Sequence, residues 1–180
     1  MITLKNIGEF KSVPQLVKDI IEGDTLALDQ YLASGWDIDQ EIEISKYTSL
    51  SPIDLSLITG NFDSLKWLVE KGAHLNVKNN SSFLLAVRYC DGTFIKYLME
   101  HGAKIHSVNA VKSEAFQEAL FGNKFDNLAI IHALGHSVEK YGGKAFRRAV
   151  ADRNYQVLDF FIKNGVDINY NASDSVYPFK

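Results

Sequence analysis

Apolar residues recur in this chain at fixed distances from five glycines, Gly35, Gly72, Gly102, Gly135 and Gly165, whose separations are 37, 30, 33 and 30 residues. Seven residues before them stand Leu28, Leu65, Ile95, Leu128 and Leu158; four before stand Tyr31, Leu68, Leu98, Ile131 and Phe161. Three residues after them come Ile38, Leu75, Ile105, Val138 and Ile168. Apolar positions three apart share a helix face, and a following glycine supplies the left-handed backbone that closes a helix C-terminus. Each glycine therefore marks the end of a short helix. A second helical stretch precedes it in every copy, at residues 16–22, 53–59, 83–89, 115–121 and 145–152. The pattern predicts two short helices about every 33 residues.

Helices this short are marginal alone and need neighbouring copies to cover their apolar faces, which is the logic of a solenoid. The stretch Ser51-Pro52-Ile53-Asp54-Leu55 resembles the ankyrin repeat opening T-P-L-H-x-A. It continues through Thr59-Gly60-Asn61-Phe62-Asp63 to Leu68-Val69-Glu70-Lys71-Gly72-Ala73-His74-Leu75-Asn76, close to that family's pattern. Ser51 suits a helix cap, Pro52 the first helical position and Asp54 the acid of a capping box. The other copies replace the opening with Ser81-Ser82-Phe83-Leu84, Ser113-Glu114-Ala115-Phe116 and Lys144-Ala145-Phe146-Arg147, and none carries the family histidine. Endings at Gly102-Ala103-Lys104-Ile105-His106 and Gly165-Val166-Asp167-Ile168-Asn169 resemble the family's G-A-D-V-N; Gly135-His136-Ser137-Val138-Glu139 is more remote.

The resemblance spans residues 13–172. It implies an all-α, ankyrin-like solenoid of stacked helix-turn-helix repeats with short or degenerate β-fingers. On this reading 1–180 is a single domain, with repeats near 13–39, 51–76, 81–106, 113–139 and 144–169. The long first step leaves a link at 37–50, where Asp37, Asp39, Glu41 and Glu43 interleave with Ile38, Ile42 and Ile44. Alternation at period two predicts a β-ribbon or extended arm there. Residues 171–180 are too short for another helix pair and are expected as a loose tail or a segment lying across the last repeat.

Composition narrows the function more than the fold. The 180 residues are 46% hydrophobic and 23% charged with a net charge of −3, ordinary for a globular domain and without a basic signature for nucleic acid. Residues 1–90 carry net charge −4 and residues 91–180 carry +1, so an acidic N-terminal arm can steer toward a basic partner or simply keep that edge soluble. The single cysteine, Cys90, rules out an intramolecular disulfide and fits a reducing, cytoplasmic setting. Charges interrupt every apolar run near the N-terminus, giving no signal-peptide pattern, and no apolar stretch is long enough to cross a membrane.

Motifs for chemistry are weak. Tyr141-Gly142-Gly143-Lys144 offers a Gly-Lys pair, but a phosphate loop also needs a glycine at 138 and a Ser or Thr at 145, where this chain has Val138 and Ala145. His132 and His136 are four apart with Gly135 between them, which breaks the helical geometry of a metal pair. His74, His101 and His106 fall near repeat ends without ligand spacing. No G-x-S-x-G occurs and Cys90 has no catalytic signature. Phe83, Leu84 and Phe94, and Phe160, Phe161 and Ile162, sit at spacings that repeat packing requires and are assigned to core. Trp67 is placed near a flank beside an inward Leu65, Leu68 and Val69, and Trp36 at the end of the stack; either can serve an interface.

What the resemblance implies is a non-enzymatic protein-binding module using finger tips and the concave helix face. Matched position by position, the finger residues are Tyr47, Thr48, Leu50, Lys78, Asn80, Lys112, Lys140 and Tyr141, and the helix residues are Thr59, Arg88, Tyr89, Phe121 and Asp152. Tyr and Arg suit binding because they combine large contact area with hydrogen bonds. The expected partner is a protein, for a monomeric chain without cofactor, metal, membrane or nucleic-acid ligand. Two other readings stay open: an inhibitor or immunity-type protein that blocks a partner enzyme or toxin, and an enzyme or small-ligand protein on a helical-repeat scaffold.

Overall fold

A computed structural model describes residues 14–46, 48–75, 81–103 and 109–169. The chain divides into two compact units, Met1–Lys104 and Ile105–Lys180. The first unit holds α1 (Gln15–Glu22), α2 (Thr25–Ala33), β1 (Ile42–Ser45), β2 (Thr48–Leu50), α3 (Pro52–Thr59), α4 (Phe62–Glu70), α5 (Ser81–Tyr89) and α6 (Gly92–Glu100). The second holds α7 (Asn109–Phe121), α8 (Asp126–Ala133), the single turn α9 (Val138–Tyr141), α10 (Gly143–Ala151) and α11 (Tyr155–Lys163). The segments 171–180 and Ile105 lie outside the described residues.

Helix ends follow from side chains the sequence places there. Asp24, Asn61, Asp91 and Asn154 each accept a backbone N–H from the first turn of α2, α4, α6 and α11, at 3.0, 2.9, 2.8 and 3.1 Å. Ser51 caps α3 by accepting the Asp54 N–H at 3.1 Å, with Pro52 opening the helix. The Asp54 carboxylate is buried and accepts the Ser82 hydroxyl of α5 at 2.9 Å. The five glycines that anchor the copies all take left-handed backbone, with φ between 79° and 94°.

In the first unit α3 packs between α1 and α5. Val17 and Ile20 of α1, Leu55 and Leu57 of α3, and Ala86 and Val87 of α5 are all fully buried. Side chains of one helix pair then reach the carbonyls that end the first helix of the pair before. Ser64 Oγ donates to Ile20 O at 2.6 Å, Asn61 Nδ2 to Ile21 O at 2.9 Å and Cys90 Sγ to Leu57 O at 3.1 Å. The second unit is organised around the buried Phe161, edge-on to Phe160, Phe116 and Phe146 at centroid distances of 5.5, 5.8 and 6.4 Å.

The alternating segment contains the antiparallel pair β1 and β2, in which Ile42 faces Leu50 and Glu43 faces Ser49, with an irregularity before Ser45 pairs Thr48. Ile42 is buried and Glu43 exposed, which is what a half-covered ribbon requires.

Three side-chain placements need correction. Ile162 is 57% exposed, because α11 turns Phe161 inward and leaves the next residue outside. Trp67, expected on a flank, is 7% exposed between α2 and α4, and its indole N–H donates to Asp29 at 3.2 Å. Val69 is only half-buried.

Gly23 and Gly60 separate backbone strain from packing. Both are left-handed, with φ of 78° and 69°, but a Cβ at Gly23 lies 2.9 Å from the Asn61 amide, whereas at Gly60 it meets nothing within 4 Å. Gly60→Ala should cost about 1 kcal/mol from backbone conformation alone. Gly23→Ala should cost about 2 kcal/mol, because the Asn61 bond to Ile21 must also give. Urea midpoints at unchanged m-value measure both; equal losses would show that the Asn61 contact carries no stability.

Candidate functional site

Among the described residues no three His, Cys, Asp or Glu side chains come together as a metal group, and no helix is long and apolar enough to cross a membrane. The Gly142-Gly143 turn is filled by protein: a Cβ on Gly142 falls 2.6 Å from the Val138 carbonyl and 3.2 Å from the Phe161 ring.

The expected partner-binding residues separate into small groups. Tyr47, Lys78 and Asn80 lie outside the described residues. Thr48 and Leu50 are half-buried on β2. The Thr59 hydroxyl turns back onto α3, donating to Leu55 O at 2.8 Å and standing 3.3 Å from Ser56 O. At the end of α5 the Arg88 guanidinium lies 5.4 Å from the centre of the Tyr89 ring, both side chains half-buried. In the second unit the Lys112 ammonium lies 5.4 Å from the Tyr141 ring, while Lys140 is exposed.

Phe121 and Asp152 are linked by a residue that position-matching missed. The Arg148 guanidinium stands 5.0 Å from the Phe121 ring and donates through Nε to Asp152 at 2.6 Å, one helical turn on. Phe121 is 45% exposed. The i, i+4 spacing of Arg148 on α10 and Asp152 at its C-terminal cap is the sequence signal for the ion pair. Its contact with Phe121 joins two copies and has no local signal.

Electrostatic perturbations among the described residues fall on Asp29, Tyr31, Tyr97 and His136. The Lys71 ammonium, 2.7 Å from Asp29, holds that carboxyl below its ordinary value; partial desolvation opposes it, and the Trp67 indole adds to the lowering. Asp39 pairs with the His74 ring and accepts the His74 backbone N–H at 2.8 Å, tying the link after α2 to the turn after α4. Tyr97 packs against His101 with ring centres 4.0 Å apart, and burial together with the nearby Glu70 charge raises its phenol. His132 Nδ1 is 3.2 Å from the His136 carbonyl, so these two histidines do not converge as metal ligands.

With this geometry in hand, the chain can be set beside known proteins. No protein-family model matches it. It is 22% identical over 145 residues to an ankyrin repeat protein of Fowlpox virus (strain NVSL), a match covering 79% of this chain and 27% of that protein. The chain thus spans about a quarter of the viral relative's length. It is also similar to the crystal structure of the human ASB11 ankyrin repeat domain, with a TM-score of 0.56 and 19% sequence identity over 89% of this chain and 88% of that one. The helix pairs and their glycine-closed ends are those of ankyrin repeats, and the chain has the ankyrin repeat fold.

The buried His136 makes stability depend on pH. It occupies the position after the closing glycine where Ala73, Ala103 and Val166 are also buried, and it lies edge-on to Phe116 at 6.3 Å. Burial lowers its pKa below the ordinary value, as does the Lys112 charge, against a hydrogen bond with the Lys112 backbone. A histidine whose folded pKa is depressed contributes stability above its unfolded pKa of about 6.5 and loses it as pH falls toward the folded value. Thermal midpoints should therefore drop between pH 7 and pH 5, and more shallowly in His136→Ala. Parallel pH profiles for the two proteins would rule out this histidine as the source.

Proposed function

We propose that this chain is a non-enzymatic protein-interaction module, recognising its partner through side chains that packing leaves exposed at the ends of the first helices. Ankyrin repeats as a class support the general role. The observation that carries the finer reading is the Phe121, Arg148 and Asp152 group. Here an exposed aromatic ring and a guanidinium are held in place before any partner arrives, by a 2.6 Å ion pair from the same helix. Preorganisation of this kind lowers the ordering cost of docking, and Arg and aromatic residues are typical energetic anchors of interfaces. The Arg88 and Tyr89 pair at the end of α5 is a second anchor of the same chemistry. On this reading the five helix pairs work as one repeat domain, in a reducing compartment suited to the buried Cys90 thiol.

The test is affinity capture of partners from a lysate of the source organism by the tagged chain, read by mass spectrometry. Two variants accompany it, Phe121→Ala with Arg148→Glu, and Arg88→Glu with Tyr89→Ala. A stoichiometric protein should be captured, and each double variant should weaken its binding by at least about tenfold, as expected for loss of a hot-spot residue. Midpoints of thermal unfolding should stay within about 3 °C, as for surface changes. Full binding by both variants would remove these anchors from the interface, and unfolding of either would show that its side chains serve the core.

A further inference from the structure

Second helices of neighbouring pairs lie side by side, and in the first unit the seam between α2 and α4 holds a ring, a carboxylate and a cation. The Trp67 indole donates to Asp29 at 3.2 Å, and Lys71 pairs with the same carboxylate at 2.7 Å. The Lys71 ammonium also lies 5.5 Å from the centre of the Trp67 ring. This set is complete within the chain.

The matching seam of the second unit, between α8 and α11, keeps a ring and a carboxylate but not the cation. Phe160 stands five residues before Gly165, as Trp67 does before Gly72. Ala129 stands where Asp29 does, six before its glycine, and the acid moves to Asp126, about one helical turn earlier. Asn164 takes the place of Lys71 immediately before the glycine, and its amide folds back to donate to Phe160 O at 2.7 Å. Lys163, beside it, is paired with Asp159 at 2.5 Å. Among the described residues Asp126 has no ion pair.

The small Ala129 lines a cavity of about 230 Å³ between the two helices. Leu128 and Val157, each 1% exposed, form its floor, the half-buried Phe125 and Phe160 rings its walls, and the exposed Asp126 and Gln156 its rim. The lining comes from two consecutive pairs, so the groove is set by their mutual packing. It is smaller than small-molecule sites, which run from about 300 Å³ upward. One side chain is the scale that fits.

We propose that this groove takes an arginine side chain of a protein partner, its guanidinium paired with Asp126 and its plane against the Phe125 and Phe160 rings. Aromatic faces attract cations, and a guanidinium stacks on rings while its N–H fork donates to a carboxylate. The Gln156 side-chain carbonyl is a second acceptor at the rim, and the apolar stem of the arginine covers Leu128 and Val157. A lysine ammonium lacks the planar match to the rings. A purely aliphatic side chain would desolvate the Asp126 carboxylate without pairing it. Trp67, Asp29 and Lys71 are the chain's own instance of the same chemistry. Only the origin of the arginine rests on the reading of this chain as a protein-interaction module; the groove itself is formed by second helices rather than by the ends of the first.

The test is titration of the full chain with N-acetylarginine amide, followed by amide and methyl NMR. Saturable shifts should appear at Asp126, Ala129, Gln156 and Val157, with a dissociation constant on the order of millimolar, as suits a single side chain. N-acetylcitrulline amide, which keeps the shape without the charge, should bind at least about tenfold more weakly. Asp126→Asn should weaken the arginine probe by about tenfold. Ala129→Leu, which fills the groove from an exposed position, should abolish binding while the thermal midpoint stays within about 3 °C. Should Ala129→Leu unfold, Asp126→Asn and the citrulline probe decide alone. Equal binding of the two probes, or undiminished affinity in Asp126→Asn, would overturn the arginine assignment, as would the absence of saturable shifts at those four residues. Because the probe is a small molecule, the outcome is independent of the capture experiment: either can fail while the other stands.

Discussion

An α-helix of eight residues leaves its last four carbonyls without partners inside the helix, half of all it has. That is the situation of α1 and α3, and it makes the helix pairs of the first unit depend on one another. The turn after α1 returns the Gly23 and Asp24 N–H groups to Asp19 O, each at 2.9 Å, which leaves Ile20 O and Ile21 O to be satisfied from elsewhere. Ser64 and Asn61 of the next pair supply those hydrogen bonds, and Cys90 supplies one to Leu57 O a pair later. Buried carbonyls without such donors would be costly, so the end of one first helix is completed only when the following pair docks. Local structure and packing are thus one event, which is why helices this short are stable at all.

Because the donors sit in the cap region of the second helix, one side chain serves two elements. Asn61 accepts the Ser64 N–H to start α4 and donates to Ile21 O to finish α1. Gly23 has to be glycine both for its backbone and for the space that Asn61 occupies. Asp54 does comparable work at the opposite end of a first helix: its backbone N–H is capped by Ser51, while its carboxylate binds Ser82 of the next pair. The acid that stands where the family opening has histidine therefore remains a polar link between neighbouring pairs. In the second unit Phe161 makes edge-on contacts with Phe116 and Phe146, and α8 begins without a side-chain cap.

Much of the architecture was legible because it repeats. The glycine spacing located all five pairs, and the segments read as first helices match α1, α3, α5, α7 and α10, with α7 starting six residues earlier than expected at Asn109. The single turn α9 escaped, since four residues are too few for a periodic signal; Ser137 capping the Lys140 N–H at 3.3 Å is its only local mark. Trp67 escaped for a different reason. Helical periodicity gives the direction of a side chain but not the partner, and only Asp29, 38 residues earlier, turns that flank into a polar-lined interior. Arg148 was missed in the same way: its ion pair is local, but its ring partner belongs to the preceding copy.

The difference between fold and site has a physical origin. Packing acts on every copy alike and so writes the same residue type at the same offset, five times over. Recognition acts once, on whatever packing leaves outside, and writes no periodicity. At the position fourteen residues before the closing glycine the copies carry Ile21, Ile58, Arg88, Phe121 and Ala151, from a buried isoleucine in the second to an exposed phenylalanine in the fourth. A position that packing constrained would not vary in this way. The two residues there that suit binding, Arg88 and Phe121, each meet a ring or guanidinium of their own unit, which fixes the geometry they present. Breakdown of the repeat pattern at an otherwise ordered position is where the proposed anchors lie, in a chain whose regularity is the signal for fold.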